Sequence, residues 1–132
     1  MRAILVLTLL LVACGGAKQR HTTISLSGSD GNLNDVACGK QEPFEHYGAP
    51  AVVRYTGSVS PAPSGRWKVK VKLKQCRGNA FVDASSQKIV GQAGGRFDGV
   101  FAVTAPGSYS VEAKFEGSSN SPESDKVYLQ VK

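Results

Sequence analysis

The sequence is poor in residues that carry out chemistry near neutral pH. Its 132 residues include two histidines, three cysteines, one methionine and one tryptophan. It has no C-x-x-C pair of the kind that redox and zinc sites use, no G-x-S-x-G motif and no phosphate-binding P-loop. These absences argue against thiol redox proteins, serine hydrolases and nucleotide-dependent enzymes. We therefore predict a protein that is not an enzyme and that uses no cofactor and no metal ion.

Two short segments contain residue types that bind metal ions in other proteins. His46 follows Glu45, but adjacent residues on an irregular loop are a weak signal, and no second cluster completes a site. Segment 30–35 (D-G-N-L-N-D) hints at a calcium loop, yet its twelfth position is Gln41 instead of a bidentate glutamate. We interpret both segments as parts of a turn-rich connection.

The sequence also lacks a convincing helical repeat beyond residue 20. Short alternating runs separated by Gly, Pro, Ser and Asn are typical of an all-β domain. Residues 28–48 form a long polar connection with room for a short turn of helix. We expect seven or eight strands in one domain, 21–132. The predicted strands are 22–27, 51–60, 66–76, 80–84, 87–90 and the runs around 97–103, 109–115 and 127–131.

Segment 66–76 alternates more regularly than any other. Trp67, Val69, Val71 and Leu73 fall on one side of the predicted strand, and four lysines fall on the other. Successive side chains of a strand point to opposite faces of the sheet. The apolar set is therefore predicted to enter a core, and the lysines are predicted to face water. These lysines are Lys68, Lys70, Lys72 and Lys74.

Two features resemble the immunoglobulin-like β-sandwiches. Trp67 lies on a central predicted strand, fourteen residues after Val53, and segment 106–111 (P-G-S-Y-S-V) is similar to a tyrosine corner. In that corner a tyrosine hydroxyl bonds to the backbone just upstream, which is the role the resemblance implies for Tyr109. Val111 then stands where antibody domains keep their second cysteine, so their inter-sheet disulfide is absent. The resemblance implies two packed sheets.

The one long apolar run of the chain lies at its amino terminus. Residues 3–12 are almost all apolar and follow Arg2, and small residues come directly after them. This order is typical of an export signal. Thirteen helical residues span roughly 20 Å, which is less than the ~30 Å hydrocarbon core of a bilayer. We therefore expect a cleaved signal and not a membrane-spanning helix.

The apolar run ends in Leu11-Val12-Ala13-Cys14, which resembles the lipobox of bacterial lipoproteins. In that family the cysteine thiol receives a diacylglyceryl group, the chain is cut just before the cysteine, and an amide-linked palmitate-type chain completes the anchor. The resemblance implies a signal peptide at 1–13, a lipidated Cys14 and a tether at 14–20, on a membrane of the bacterial envelope. A signal cut after Ala17 would instead release a secreted protein.

With Cys14 assigned to the lipid, two cysteines remain. An exported chain with two cysteines allows a single intramolecular pairing, Cys38 with Cys76. Closing a loop of about 38 residues would stabilise the fold by roughly 4 kcal/mol on the chain-entropy account.

In an immunoglobulin-like strand order, the outward lysines share a face with residues of the last strand. Such a face, in a chain of net charge +6, is suited to anionic head groups, anionic wall polymers or an acidic envelope protein. Lysines of this kind also keep strands soluble without binding anything. Export makes nucleic acid a poor partner. The predicted face consists of Lys68, Lys70, Lys72, Lys74, Lys126 and Tyr128.

These observations predict a lipid-anchored envelope protein that acts as a non-catalytic binding or structural module. Its partners would be the membrane through Cys14 and an envelope protein or anionic wall polymer. The alternative is a carbohydrate-binding or inhibitory module of the envelope. That alternative needs exposed aromatic side chains, for which Tyr47 and Tyr128 are the candidates.

Overall fold

A computed structural model describes residues 20–117 and 124–132, and these ranges contain nine strands and no helix. No helix able to cross a membrane is therefore found among them. The two sheets face each other, which confirms the predicted all-β sandwich. The count of nine exceeds the expected seven or eight, because segment 28–48 contributes two strands and the segments 80–84 and 87–90 form one. The strands are β1 (His21–Ser27), β2 (Gly31–Ala37), β3 (Lys40–Tyr47), β4 (Ala51–Ser60), β5 (Lys68–Arg77), β6 (Ala80–Val90), β7 (Arg96–Val103), β8 (Gly107–Glu116) and β9 (Asp125–Val131).

The strands form one small and one large sheet. The small sheet has the order β1-β4-β7, and the large sheet has the order β2-β3-β9-β8-β5-β6. Strand β5, which follows Trp67, lies beside β8, and β9 lies on the other side of β8. All neighbouring strands are antiparallel except β3 and β9, which pair in parallel over four residues.

The core lies between the two sheets and is made by alternation along the strands. Trp67, Val69, Val71 and Leu73 are all buried, so the inward series predicted for this strand is confirmed. Alternate residues of the strands in the opposite sheet are buried as well. The remaining large core residues are Ile24, Tyr47, Val53, Tyr55, Val59, Phe97, Phe101, Val103, Tyr109, Val111, Phe115, Leu129 and Val131.

Polar side chains tie the open edges of the small sheet to the large one. The amide of Gln87 donates to the Val100 carbonyl at 2.7 Å, and the Tyr55 hydroxyl donates to Gln87 at 2.6 Å. On the other edge, the Ile24 N–H donates to the Asp125 carboxylate at 3.0 Å. Free strand edges invite pairing with other chains, and these bonds occupy backbone groups on both edges.

The tyrosine corner is present. The Tyr109 hydroxyl donates to the Ala105 carbonyl at 2.6 Å, four residues upstream. This bond fixes the turn that leads into β8.

Residues 28–48 form a hairpin and not the expected long connection. β2 and β3 pair from Gly31 with His46 to Ala37 with Lys40, which leaves a two-residue turn. Both turn residues have positive φ, 53° at Cys38 and 70° at Gly39, as a type I′ hairpin turn requires. Because β2 is exposed on both faces over most of its length, it lacks the apolar alternation that marks a strand.

The segments predicted as two short strands, 80–84 and 87–90, are one strand, β6. The register shifts between Leu73, which faces Ser85, and Lys74, which faces Asp83. Ala84 is therefore the extra residue of a β-bulge, and a bulge interrupts the alternation along the strand. That interruption gives the sequence the pattern of two strands.

The predicted disulfide is confirmed and bends the hairpin. Cys38 is bonded to Cys76, and their Cα atoms lie 5.8 Å apart. In a flat sheet β3 and β5 would lie about 14 Å apart, because β9 and β8 stand between them. The tip of the β2–β3 hairpin must therefore curl over the outward face of the large sheet to reach β5.

Removing the disulfide tests this arrangement. The bonded cysteines are 38 positions apart, so we expect the double variant Cys38→Ser/Cys76→Ser to lose roughly 4 kcal/mol of unfolding free energy. Urea unfolding measures the loss. Cys14→Ser is the control and should unfold like the parent chain; a double variant as stable as the parent would show that the bond does not constrain the fold.

Two buried tyrosines make stability sensitive to alkaline pH. Burial, aided by the charges of Glu45 and Asp98 respectively, raises the pKa of Tyr47 and of Tyr55 from 10.0 to about 12. The unfolded chain loses these protons near pH 10 and the folded protein near pH 12. Their stabilisation is therefore complete below pH 10 and is lost as the pH rises toward 12.

We expect the free energy of unfolding to fall more steeply between pH 10 and pH 12 in the parent chain than in Tyr55→Phe. The variant loses one titrating group but keeps the buried ring. Urea unfolding at a series of pH values gives both slopes. Equal slopes would mean that the Tyr55 hydroxyl titrates alike in the folded and unfolded chains.

Candidate functional site

The central part of the outward face of the large sheet is a network of ion pairs. Lys74 and Lys126 lie 3.7 and 4.0 Å from the carboxylate of Glu112, and Lys72 lies 3.9 Å from Asp83. All five side chains are partly exposed, and pairs of this kind contribute at most about 1 kcal/mol each. Their effect is on the surface potential, because two carboxylates offset most of the charge of these three lysines.

Tyr128 belongs to a small aromatic cluster on the same outward face. Its ring centroid lies 5.4 Å from that of Phe44 and 5.6 Å from that of Phe81. Phe44 is fully buried, yet it is not part of the core between the sheets. We call Phe44, Phe81 and Tyr128 the outer aromatic cluster; it is a second, smaller core beneath the curled hairpin.

Neither tyrosine proposed for stacking on sugars is an open platform. Tyr47 is buried in the main core and donates to the Ser27 carbonyl at 2.9 Å, so the expectation that it is exposed is wrong. Tyr128 is half-buried between two rings, and its burial raises its pKa, with smaller contributions from the charges of Glu42 and Glu112. A sugar ring would have to displace the cluster to stack there.

The cluster was missed from the sequence because Phe44 lies outside the predicted strands and because the contact of Phe81 with Tyr128 depends on the sheet order. Phe44 and Tyr47 point to opposite faces of β3, which is the pattern of a strand buried on both faces. Phe81 precedes the bulge of β6. Large apolar residues on both faces of 43–47 were the one sequence signal that could have indicated this second core.

A different arrangement surrounds Lys68 and Lys70 at the start of β5. Lys88, Lys70 and Lys114 face one another directly across β6, β5 and β8, and we call them the lysine row. Lys88 lies 3.6 Å from Glu116. Within the described ranges, no carboxylate pairs with Lys68, Lys70 or Lys114. Like charges directly opposite each other destabilise a sheet, so this row has an electrostatic cost.

The buried ring nitrogen of His46, Nε2, forms no hydrogen bond with a carboxylate. His46 Nε2 is buried without a hydrogen-bond partner, next to Gln130, whose Oε1 is in the same condition. Residues 31–35 of the calcium-loop-like segment 30–35 belong to strand β2, where a turn was expected. In the described part of the chain, no three His, Cys, Asp or Glu side chains are grouped so that they could hold a metal ion.

The signal peptide 1–13, Cys14 and the tether up to residue 19 lie outside the described residues. The description begins at Arg20, whose guanidinium carbon lies 5.5 Å from the centre of the Phe115 ring. Arg20 Nε also donates to the Pro61 carbonyl at 3.2 Å. The chain therefore enters the sandwich at the end where β5 begins and β8 ends.

Comparison with known proteins gives no assignment. No family model matches the chain, and no curated protein matches it. Two solved structures of a β-glucosidase from Listeria innocua, in complex with isofagomine and with glucose, resemble it at TM-scores of 0.40 and 0.38 and identities of 14% and 12%. The alignments cover 83% and 82% of this chain but 16% of each glucosidase chain.

The outer aromatic cluster can be tested by truncation. Phe44 is 0% exposed, so Phe44→Ala should lower the unfolding free energy by about 3 to 5 kcal/mol. Leu33→Ala is the matched control, because Leu33 faces Phe44 in the register but is 63% exposed, and we expect a change within about 0.5 kcal/mol. Urea unfolding compares them; equal losses would contradict a second core.

Proposed function

We propose that the protein is a lipid-anchored protein of the bacterial envelope whose immunoglobulin-like sandwich is a non-catalytic binding or structural module. The observation that carries the proposal is the Cys38–Cys76 disulfide. Disulfides persist in exported proteins and are rare in the cytosol. The bond also accounts for two of the three cysteines, which leaves the lipobox residue Cys14 without an intramolecular partner.

Two features of the domain support a binding or structural role. The domain is rigid, and its outward surface has an ion-paired centre and, at the start of β5, lysines without a carboxylate partner in the described ranges. The hairpin is fixed by a disulfide and by the outer aromatic cluster, so the sandwich presents its strands without an ordering cost at binding. Lys68 and Lys70 are the members of the predicted lysine face that no carboxylate pairs with in the described ranges. An envelope protein or anionic wall polymer remains the proposed partner of the domain. A lipid anchor would hold the domain near such partners, so a weak contact suffices.

Mass spectrometry of the mature protein from a bacterial host tests the anchor. We expect an amino-terminal peptide that begins at Cys14 and carries the mass of a diacylglyceryl group plus an amide-linked acyl chain. Cys14→Ser should abolish the modification and release the protein from the membrane fraction. An unmodified chain beginning at Lys18 would overturn the anchor and support the secreted alternative.

A further inference from the structure

The charge of the domain is concentrated at one end. We call the tether end the end of the sandwich formed by Arg20 and by segments 58–70, 88–98 and 114–117, where β1, β5 and β7 begin. The bonds from Gly91 N–H to the Trp67 carbonyl and from Val59 N–H to the Gly95 carbonyl, 2.9 and 2.7 Å, join its segments.

The tether end contains seven basic and two acidic residues, which leaves a net charge of +5. All other described residues together contain seven basic and seven acidic residues and are neutral. The whole net charge of the described chain therefore lies at one end of a sandwich whose strands are up to about 35 Å long. The basic residues are Arg20, Arg66, Lys68, Lys70, Lys88, Arg96 and Lys114, and the acidic ones are Asp98 and Glu116.

The same end holds the lysine row and the unpaired Lys68. Lys68, Lys88 and Lys114 are exposed, while Lys70 between them is half-buried. An anion placed over this row would relieve the repulsion among directly opposed lysines. The middle of the sheet differs, because its lysines are already paired with Glu112 and Asp83.

The tether end is also where the chain leaves the fold toward Cys14. Six residues, 15–20, separate Cys14 from β1, and six extended residues span at most about 20 Å. A lipid on Cys14 would hold the tether end within that distance of the bilayer surface. The tether end would therefore stay within reach of the leaflet in every orientation of the sandwich, whereas the neutral end reaches it only if the sandwich lies flat.

We propose that the tether end binds the anionic phospholipid surface that carries the anchor, with Lys68, Lys70 and Lys114 as its principal contacts. This inference rests on the proposed lipid anchor for its geometry. A lysine near an anionic leaflet contributes a factor of about five in affinity, so three lysines contribute roughly a hundredfold. The contact turns the outward face of the large sheet at the tether end toward the leaflet, and it leaves the Cys38–Cys76 disulfide, near the other end of β5, farther from the leaflet.

The test uses the chain from Cys14 to Lys132 with Cys14→Ser, which contains every described strand and cannot be acylated. Its sedimentation with phosphatidylcholine vesicles is measured with and without phosphatidylglycerol. The variant Lys68→Gln/Lys70→Gln/Lys114→Gln is compared with Lys40→Gln/Arg77→Gln/Lys132→Gln, an equal loss of charge at exposed positions outside the tether end. Thermal unfolding verifies that both variants are folded.

We expect binding only to phosphatidylglycerol vesicles, weakening with salt, and lowered roughly a hundredfold by the tether-end variant but little by the control. Energy transfer from Trp67, the single tryptophan, to a dansyl lipid should fall in parallel. Equal losses in the two variants, or retention by purified wall polymer and not by vesicles, would overturn the inference. Because the assay needs no acyl chain, failure of the anchor at Cys14 is seen separately by mass spectrometry.

Discussion

The fold of the hairpin over the large sheet is the constraint on which the surface of this protein depends. A disulfide draws the tip of the β2–β3 hairpin to β5, and the buried ring of Phe44 holds it there against Tyr128. Phe44 thereby becomes buried against Tyr128, whereas the ion-paired lysines on the same face stay partly exposed. The lysines of β5 and β8 that no carboxylate pairs with lie at the tether end, away from the tip of the hairpin.

Alternation along single strands was readable from the sequence, and it yielded most of the main core. Trp67 to Leu73 is the simplest example, because one strand with one buried face needs only period two. The β2–β3 hairpin could not be read in this way. β2 buries almost nothing, and its place in the sheet depends on a tight turn and a distant cysteine, neither of which leaves a periodic signal in the residues between them.

The same holds for the candidate lysine face: the positions along each strand could be predicted, but the contacts between distant segments could not. The sequence placed Lys72, Lys74 and Lys126 on one face, and the register agrees, but it did not give their pairing with Asp83 and Glu112. Asp83 lies opposite Lys74 because Ala84, the next residue along β6, is the extra residue of a bulge. Tyr128 was likewise a candidate platform for sugar stacking, but its ring packs against Phe44 and Phe81. These two residues come from strands that only the sheet order brings near Tyr128.

A solvated face and a binding face predict different distributions of charge. If the lysines served solubility alone, carboxylates would be interspersed with them along the whole sheet, since mixed signs keep a surface soluble without raising a strong local potential. The middle of the sheet follows that pattern, with Glu112 between Lys74 and Lys126. The tether end departs from it, because the lysine row keeps three cations in register across adjacent strands. Such a row costs stability in the free protein, and an anionic surface at the point where the chain leads toward Cys14 would offset that cost.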